Sequence, residues 1–225
     1  MKNMLIILSV ATGGSPSCWH PGASTPAPAQ KETPMTTVGA LAQPSPSLPG
    51  EQYVDTEYVY TDSSGKRLVI QNSLPKGGLT HTDPMGKAHV YAVFWTRVLN
   101  ETDQPCTLTI EFPAKASALP SSPGVYYRVV LPSVAMNPEN ASLYNYGLAN
   151  LKLILDSGVL QPASLMRTRD PGASGAFYVV VLANKGVTGT SRTGFRVNGQ
   201  QLVYRINGHE TTCGAVSLKQ LELRK

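Results

Sequence analysis

Cys106-Thr107-Leu108-Thr109-Ile110-Glu111-Phe112 decides the fold class. Its even positions are apolar and its odd positions polar, the period of two that puts one face of a strand on a core and the other in water. Upstream, His89 to Val98 carries apolar side chains on both faces (Val90, Tyr91, Val93, Phe94, Trp95) and reads as a central strand covered on both sides. The polar run Asn100-Glu101-Thr102-Asp103-Gln104-Pro105 joins the two at hairpin length.

Downstream, Asn198-Gly199 is a preferred pair for a two-residue type I′ turn. That turn sets Val197 opposite Gln200 and Phe195 opposite Leu202. Phe195, Leu202 and Tyr204 then share a core face, and Arg196, Gln201 and Arg205 a wet one. Further strands are expected at Tyr53–Tyr60, Arg67–Asn72, Val125–Leu131, Ala176–Ala183 and Val216–Leu223. In the last, Val216 and Leu218 are out of phase with Leu221 and Leu223, which predicts a β-bulge near Gln220.

One segment departs from the β pattern. Asn137-Pro138-Glu139 has the form of a helix start, with an N-cap asparagine, proline at the first position and an acid near the positive end. Tyr144, Leu148, Leu151 and Leu155 follow at helical spacing, and Gly158 can end the run. Gly147 weakens the middle, leaving one helix or two shorter ones. The apolar stripe is expected to pack across a sheet edge. The whole reads as all-β and mainly antiparallel: an Ig-like two-sheet sandwich with one helical insertion around 138–157, the alternative being a partly open barrel.

The domain so defined spans 51–225, and what precedes it has a different character. Met1-Lys2-Asn3 and the apolar run Met4 to Ala11 match the charged and apolar regions of a signal peptide over 1–17. The run is far shorter than the roughly 20 residues a membrane-spanning helix needs. Cys18 follows directly, as in a bacterial lipobox, where that cysteine takes the lipid; Ser15-Pro16-Ser17 stands where a lipobox normally has leucine and a small pair. Residues 18–50, with Pro21, Pro26, Pro28, Pro34, Pro44, Pro46 and Pro49 among serines and alanines, read as a flexible tether. The location this implies is the cell envelope, anchored at the outer membrane, with plain secretion as the alternative.

Composition agrees. Of 225 residues, 15% are charged and 41% hydrophobic, with 20 glycines and 18 prolines, which excludes a disordered chain and a helix bundle. The net charge of +5 is too small and scattered to point to nucleic acid. With lipid on Cys18, Cys106 and Cys213 are left as a pair in an oxidising compartment, either as a disulfide or as buried thiols.

Ile70-Gln71-Asn72-Ser73-Leu74-Pro75, Phe94-Trp95-Thr96-Arg97-Val98, Asn100-Glu101-Thr102, Leu143-Tyr144-Asn145-Tyr146-Gly147-Leu148 and Asn198 to Ile206 together resemble an uncharacterised family of exported proteins of Bacteroidetes. The resemblance runs from about Tyr58 onward. It implies a Gram-negative envelope location and no particular activity.

Candidate chemistry is sparse. His81-Thr82-Asp83, His89 and His209-Glu210 hold metal-ligating types but at no recognised ligand spacing, and they sit among turn formers. Ser174 lacks the second glycine of a nucleophile elbow, and the glycines of 186–194 fit no phosphate loop. Tyr126-Tyr127 and Tyr144/Tyr146 can supply a stacking surface for sugars, although alternation sends one of each pair to the core. The leading expectation is therefore a non-enzymatic envelope lipoprotein without cofactor that binds or supports an envelope protein or glycan. The alternatives are a carbohydrate-binding module and a metal-dependent enzyme using His81, His89 and His209.

Overall fold

The computed structural model describes residues 48–224. The expected signal peptide, Cys18 and the expected tether as far as residue 47 lie outside them. No helix among the described residues is long and apolar enough to cross a membrane.

Fourteen strands and one α-helix follow in chain order: β1 Val54–Thr61, β2 Arg67–Ser73, β3 Lys76–Thr82, β4 Ala88–Asn100, β5 Cys106–Phe112, β6 Ser117–Ala118, β7 Tyr126–Val130, β8 Ala135–Met136, α1 Leu151–Gly158, β9 Ala163–Arg169, β10 Ser174–Ala183, β11 Thr193–Asn198, β12 Gln201–Ile206, β13 His209–Val216 and β14 Glu222–Leu223. Nine strands form a large sheet in the order β14-β1-β2-β4-β10-β7-β6, with β3 also on β4 and β8 also on β10. The other five form a second sheet, β11-β12-β13-β5-β9. Every pairing is antiparallel. The fold is an all-β two-sheet sandwich, as the alternations require.

Leu108, Ile110 and Phe112 of β5 meet Ile70, Phe94, Phe177 and Val179 of the large sheet, with Phe195, Leu202 and Tyr204 completing the core between the sheets. On the far face of the large sheet, Val93, Trp95, Tyr178 and Val180 lie under Tyr146, Leu148, Leu155 and Val159. Strands β4 and β10 are therefore apolar on both sides because both sides are covered. The insertion packs on the face of the sheet rather than across its edge.

Instead of one helix, the insertion is three short pieces: 3-10 turns at Pro138–Ser142 and Tyr144–Gly147, then α1. The Asn137 side chain does accept from Glu139 N–H, the expected cap. Continuation fails because Asn145, Tyr146 and Asn150 all have positive φ. Tyr146 tolerates this because it is fully buried, donates its hydroxyl to Leu74 O and packs edge-on against Tyr53 and Trp95.

The Asn198-Gly199 hairpin forms, two residues out of the expected register. Val197 faces Leu202 and Phe195 faces Tyr204, so Gly199-Gln200 is the loop. A slip of two leaves every side chain on its expected face. The turn with positive φ at both central residues is Asn207-Gly208, between β12 and β13. Near Gln220 there is no bulge. β13 ends at Val216, the chain crosses between the sheets with Gln220 at positive φ, and β14 pairs with β1.

The Cys106–Cys213 disulfide is corrected: both are free, buried thiols. Gly214 pairs with Ile110 on the β13–β5 ladder, four residues along β5 from Cys106. At about 3.3 Å per residue that is roughly 13 Å, well past the ~7 Å between Cα atoms that a disulfide bridges.

Candidate functional site

Strands β2 and β3 follow one another along the same side of the long β4. Leu68 to Asn72 pair with its second half and Lys76 to Thr82 with its first. The next lane outward is only half filled. β1 runs beside β2, the last contact is Leu74 N–H donating to Tyr53 O, and the chain before Tyr53 turns off at Gly50. Among the described residues, nothing pairs with the outer edge of β3.

The turn after β3 fixes which groups that edge presents. Asp83 N–H donates to Lys87 O at 2.9 Å, closing the hairpin. Hydrogen-bonded and non-bonded pairs alternate along an antiparallel ladder, so Leu79 and His81 turn their backbone groups to Tyr91 and His89 on β4. Thr80 and Thr82 therefore turn their N–H and C=O outward. The pairing shifts register between Gly77 and Leu79, which puts a bulge at the start of the edge.

The two faces beside this edge differ. On the face under the insertion, Leu79 is 51% exposed and Tyr144 67%, with the Tyr144 hydroxyl 3.3 Å from that of Tyr91, the partner of Leu79. On the opposite face a cleft of about 380 Å³ runs in from Gly77 and Gly78 over Val90, Ala92, Val181 and Ala183, roofed by Lys185 to Ser191. Gly77 and Gly78 raise no side chain at its mouth.

Lys76 and Lys185 are the cations among the residues lining the cleft, and no acidic residue lines it. Neither ammonium points into it: Lys76 shares the insertion face with its partner Val93, and Lys185 Nζ lies beside Gly124, ahead of β7. The Lys76 ammonium donates to Ala141 O and Leu143 O, each at 2.7 Å, and lies 4.5 and 4.4 Å from the ring centres of Tyr53 and Tyr146. Burial lowers its pKa. Neither lysine meets a carboxylate among the described residues.

The histidines resolve into structural pairs. His81 and His89 face each other across the β3–β4 ladder. His81 Nε2 lies 2.8 Å from Asp156 of α1, off the line of a hydrogen bond, and His89 Nε2 lies 2.9 Å from Asp83. The His89 hydrogen bond and the N–H groups of Lys87 and Met85 hold the Asp83 carboxyl below its ordinary pKa. Lys152, and after it His81, does the same for Asp156. His209 opens β13 in the other sheet, beside Thr211. No group of three His, Cys, Asp or Glu is arranged to hold a metal among the described residues, so the trio expected to serve a metal enzyme is not brought together. Of the tyrosines, Tyr127 and Tyr146 are buried while Tyr126 and Tyr144 are exposed.

Sequence reasoning set His81-Thr82-Asp83 among turn formers and missed β3. The alternation of Leu79 and His81 with Thr80 and Thr82 was its only signal, and Gly77-Gly78 hid it. Comparison of the chain with protein-family models, with curated proteins and with solved structures gives no match.

Proposed function

We propose that this protein is a non-enzymatic envelope lipoprotein whose sandwich binds an extended polypeptide by strand addition to β3. The leader-like residues 1–17 and Cys18 support the location. The single observation that carries the activity is the unpaired edge of β3, with Thr80 and Thr82 turning backbone donors and acceptors to solvent. An added strand satisfies those groups, and pockets beside the edge select side chains.

The other long edges, β9 and β11, also end their sheet but are encumbered by side chains. Arg167 and Arg169 guard β9, and the Asn72 side chain occupies the backbone of β11 at Phe195. The edge from Gly77 to Thr82 carries no acid and no lysine or arginine, so nothing repels an incoming strand.

The test is a panel of unstructured peptides titrated onto the full chain and onto Thr80→Pro. The Thr80 N–H faces outward, so proline fits the fold while blocking the edge. Binding that Thr80→Pro abolishes supports the proposal; binding that it leaves unchanged, or no binding at all, refutes it.

Exposed Tyr126 and Tyr144 on one face of the large sheet favour a second reading, a glycan-binding surface. A glycan array probed with the wild type and Tyr144→Ala separates the two.

A further inference from the structure

Three features converge at one end of the β3 edge. The lane beside β3 is collinear with β1 and is closed at the Lys76 end by Tyr53, where β1 begins against Ser73 and Leu74. A strand pairing antiparallel with β3 runs in the direction of β1, so its C-terminal end arrives at that closed end. The cleft over Ala92 and Val181 opens there, through Gly77 and Gly78. The Lys76 ammonium lies at the same end, on the insertion face, with no carboxylate partner among the described residues.

We infer that the polypeptide bound at β3 is recognised by its free C-terminus, with an aliphatic last side chain in the cleft and the terminal carboxylate at the closed end of the lane, facing Lys76. This rests on the strand-addition reading and narrows its ligand class. The closed lane is the main reason. A chain continuing past Tyr53 must leave the sheet and give up its ladder, whereas a chain that ends there does not.

Charge points the same way. Two of the three Lys76 ammonium hydrogens are spent on carbonyls, which leaves one for an incoming acceptor. Partial burial makes a pairing with a carboxylate stronger than it would be in water. The floor of Val90, Ala92, Val181 and Ala183 is wholly aliphatic and suits a valine, isoleucine or leucine side chain.

The test uses fluorescein-labelled ten-residue peptides ending in valine, isoleucine or leucine, each with a free and an amidated C-terminus, titrated onto the full chain. Controls are the same peptides ending in glycine, together with the Thr80→Pro, Ala92→Leu and Lys76→Gln variants. Amidation and the glycine ending are each expected to weaken binding at least tenfold. Ala92→Leu, which fills the cleft, should remove the preference for the aliphatic ending, and Lys76→Gln should shrink the penalty for amidation. Binding that Thr80→Pro abolishes but amidation does not change overturns this inference and leaves strand addition standing. Binding that Thr80→Pro does not affect, or no binding at all, overturns both. Should Thr80→Pro fail to fold by circular dichroism, Thr82→Pro replaces it, since the Thr82 N–H also points outward.

Discussion

Asn72 of β2 uses its carboxamide as a substitute peptide group for Phe195 of β11. Its Nδ2 donates to Phe195 O at 3.0 Å, and its Oδ1 accepts from Phe195 N–H at 2.9 Å. The same Oδ1 accepts from Thr96 Oγ1 at 2.9 Å. One side chain thereby joins the two sheets where no strand pairs them, and the site is buried. Asn72→Ala should leave the Phe195 N–H and C=O without partners, at about 1–3 kcal/mol for each unsatisfied group. The expected loss of about 2–6 kcal/mol is a large share of a typical domain's stability and is read by urea denaturation.

The approach also explains Gly194. A Cβ there would sit 2.6 Å from Asn72 Cγ and 2.7 Å from its Nδ2. Gly194→Ala should cost roughly 1–3 kcal/mol as overpacking. In an Asn72→Ala background two of the three closest contacts vanish, so the second substitution should cost less. A double-mutant cycle showing strict additivity would mean that the two residues do not touch in solution.

The buried thiols fix the alkaline limb of stability. Burial pushes Cys106 up to about 11, Cys213 to about 12 and the Tyr60 hydroxyl to about 12. Each pKa is raised on folding, so the unfolded chain releases these protons first. Their contribution is complete below about pH 9 and is lost as pH rises toward 11 and 12, by up to about 1.4 kcal/mol per pH unit for each group. Because the thiolate is the nucleophile, iodoacetamide at pH 8 should label neither cysteine in the native protein and both in urea. Reductant should leave the melting temperature unchanged. A reductant-sensitive melting curve would restore a disulfide.

How much of this was legible follows from what each residue must do. The alternation from Cys106 to Phe112 marks β5 to the residue, because one face meets a core and the other water. His89 to Val98 reads as doubly covered because the insertion and the second sheet cover β4 from opposite sides. The phase fault between Leu218 and Leu221 was visible, but a change of sheet and a bulge leave the same trace. Only a partner strand tells them apart. The run from Asn145 to Gly147 carried a glycine signal, yet Tyr146 at positive φ is held by contacts with Leu74, Tyr53 and Trp95 from elsewhere in the chain. The β3 edge was hidden for a related reason: a strand open to solvent on one side need not be apolar.

Acid should loosen the insertion and the β3–β4 turn. Asp83 and Asp156 have depressed pKa values, by His89 with the turn amides and by Lys152 with His81 respectively. A carboxyl depressed on folding contributes stability that is present above its unfolded pKa, near 4, and is lost as pH falls through the lower folded value. Asp83→Asn removes the charge that faces His89 and keeps only part of the turn's acceptors. It should lower the melting temperature at pH 7 and flatten the fall in melting temperature below pH 4. An unchanged acid limb in the variant would place the titrating group elsewhere.

The orientation of the β3 edge can be read without any ligand. Leu79 and His81 bond inward to β4, and Thr80 and Thr82 face solvent, so hydrogen exchange should alternate along four consecutive residues. Inward amides in a sheet that anchors both cores open only with large parts of the structure, whereas outward ones need no opening. Leu79 and His81 are therefore expected to exchange at least about a thousandfold more slowly than Thr80 and Thr82, a ratio NMR resolves residue by residue. Uniform protection of all four in the free protein would mean that the lane is already filled in solution, which removes the basis for strand addition. A saturating peptide that slows Thr80 and Thr82 while leaving Leu79 and His81 as they were would locate the added strand on this edge, because only the outward amides gain partners.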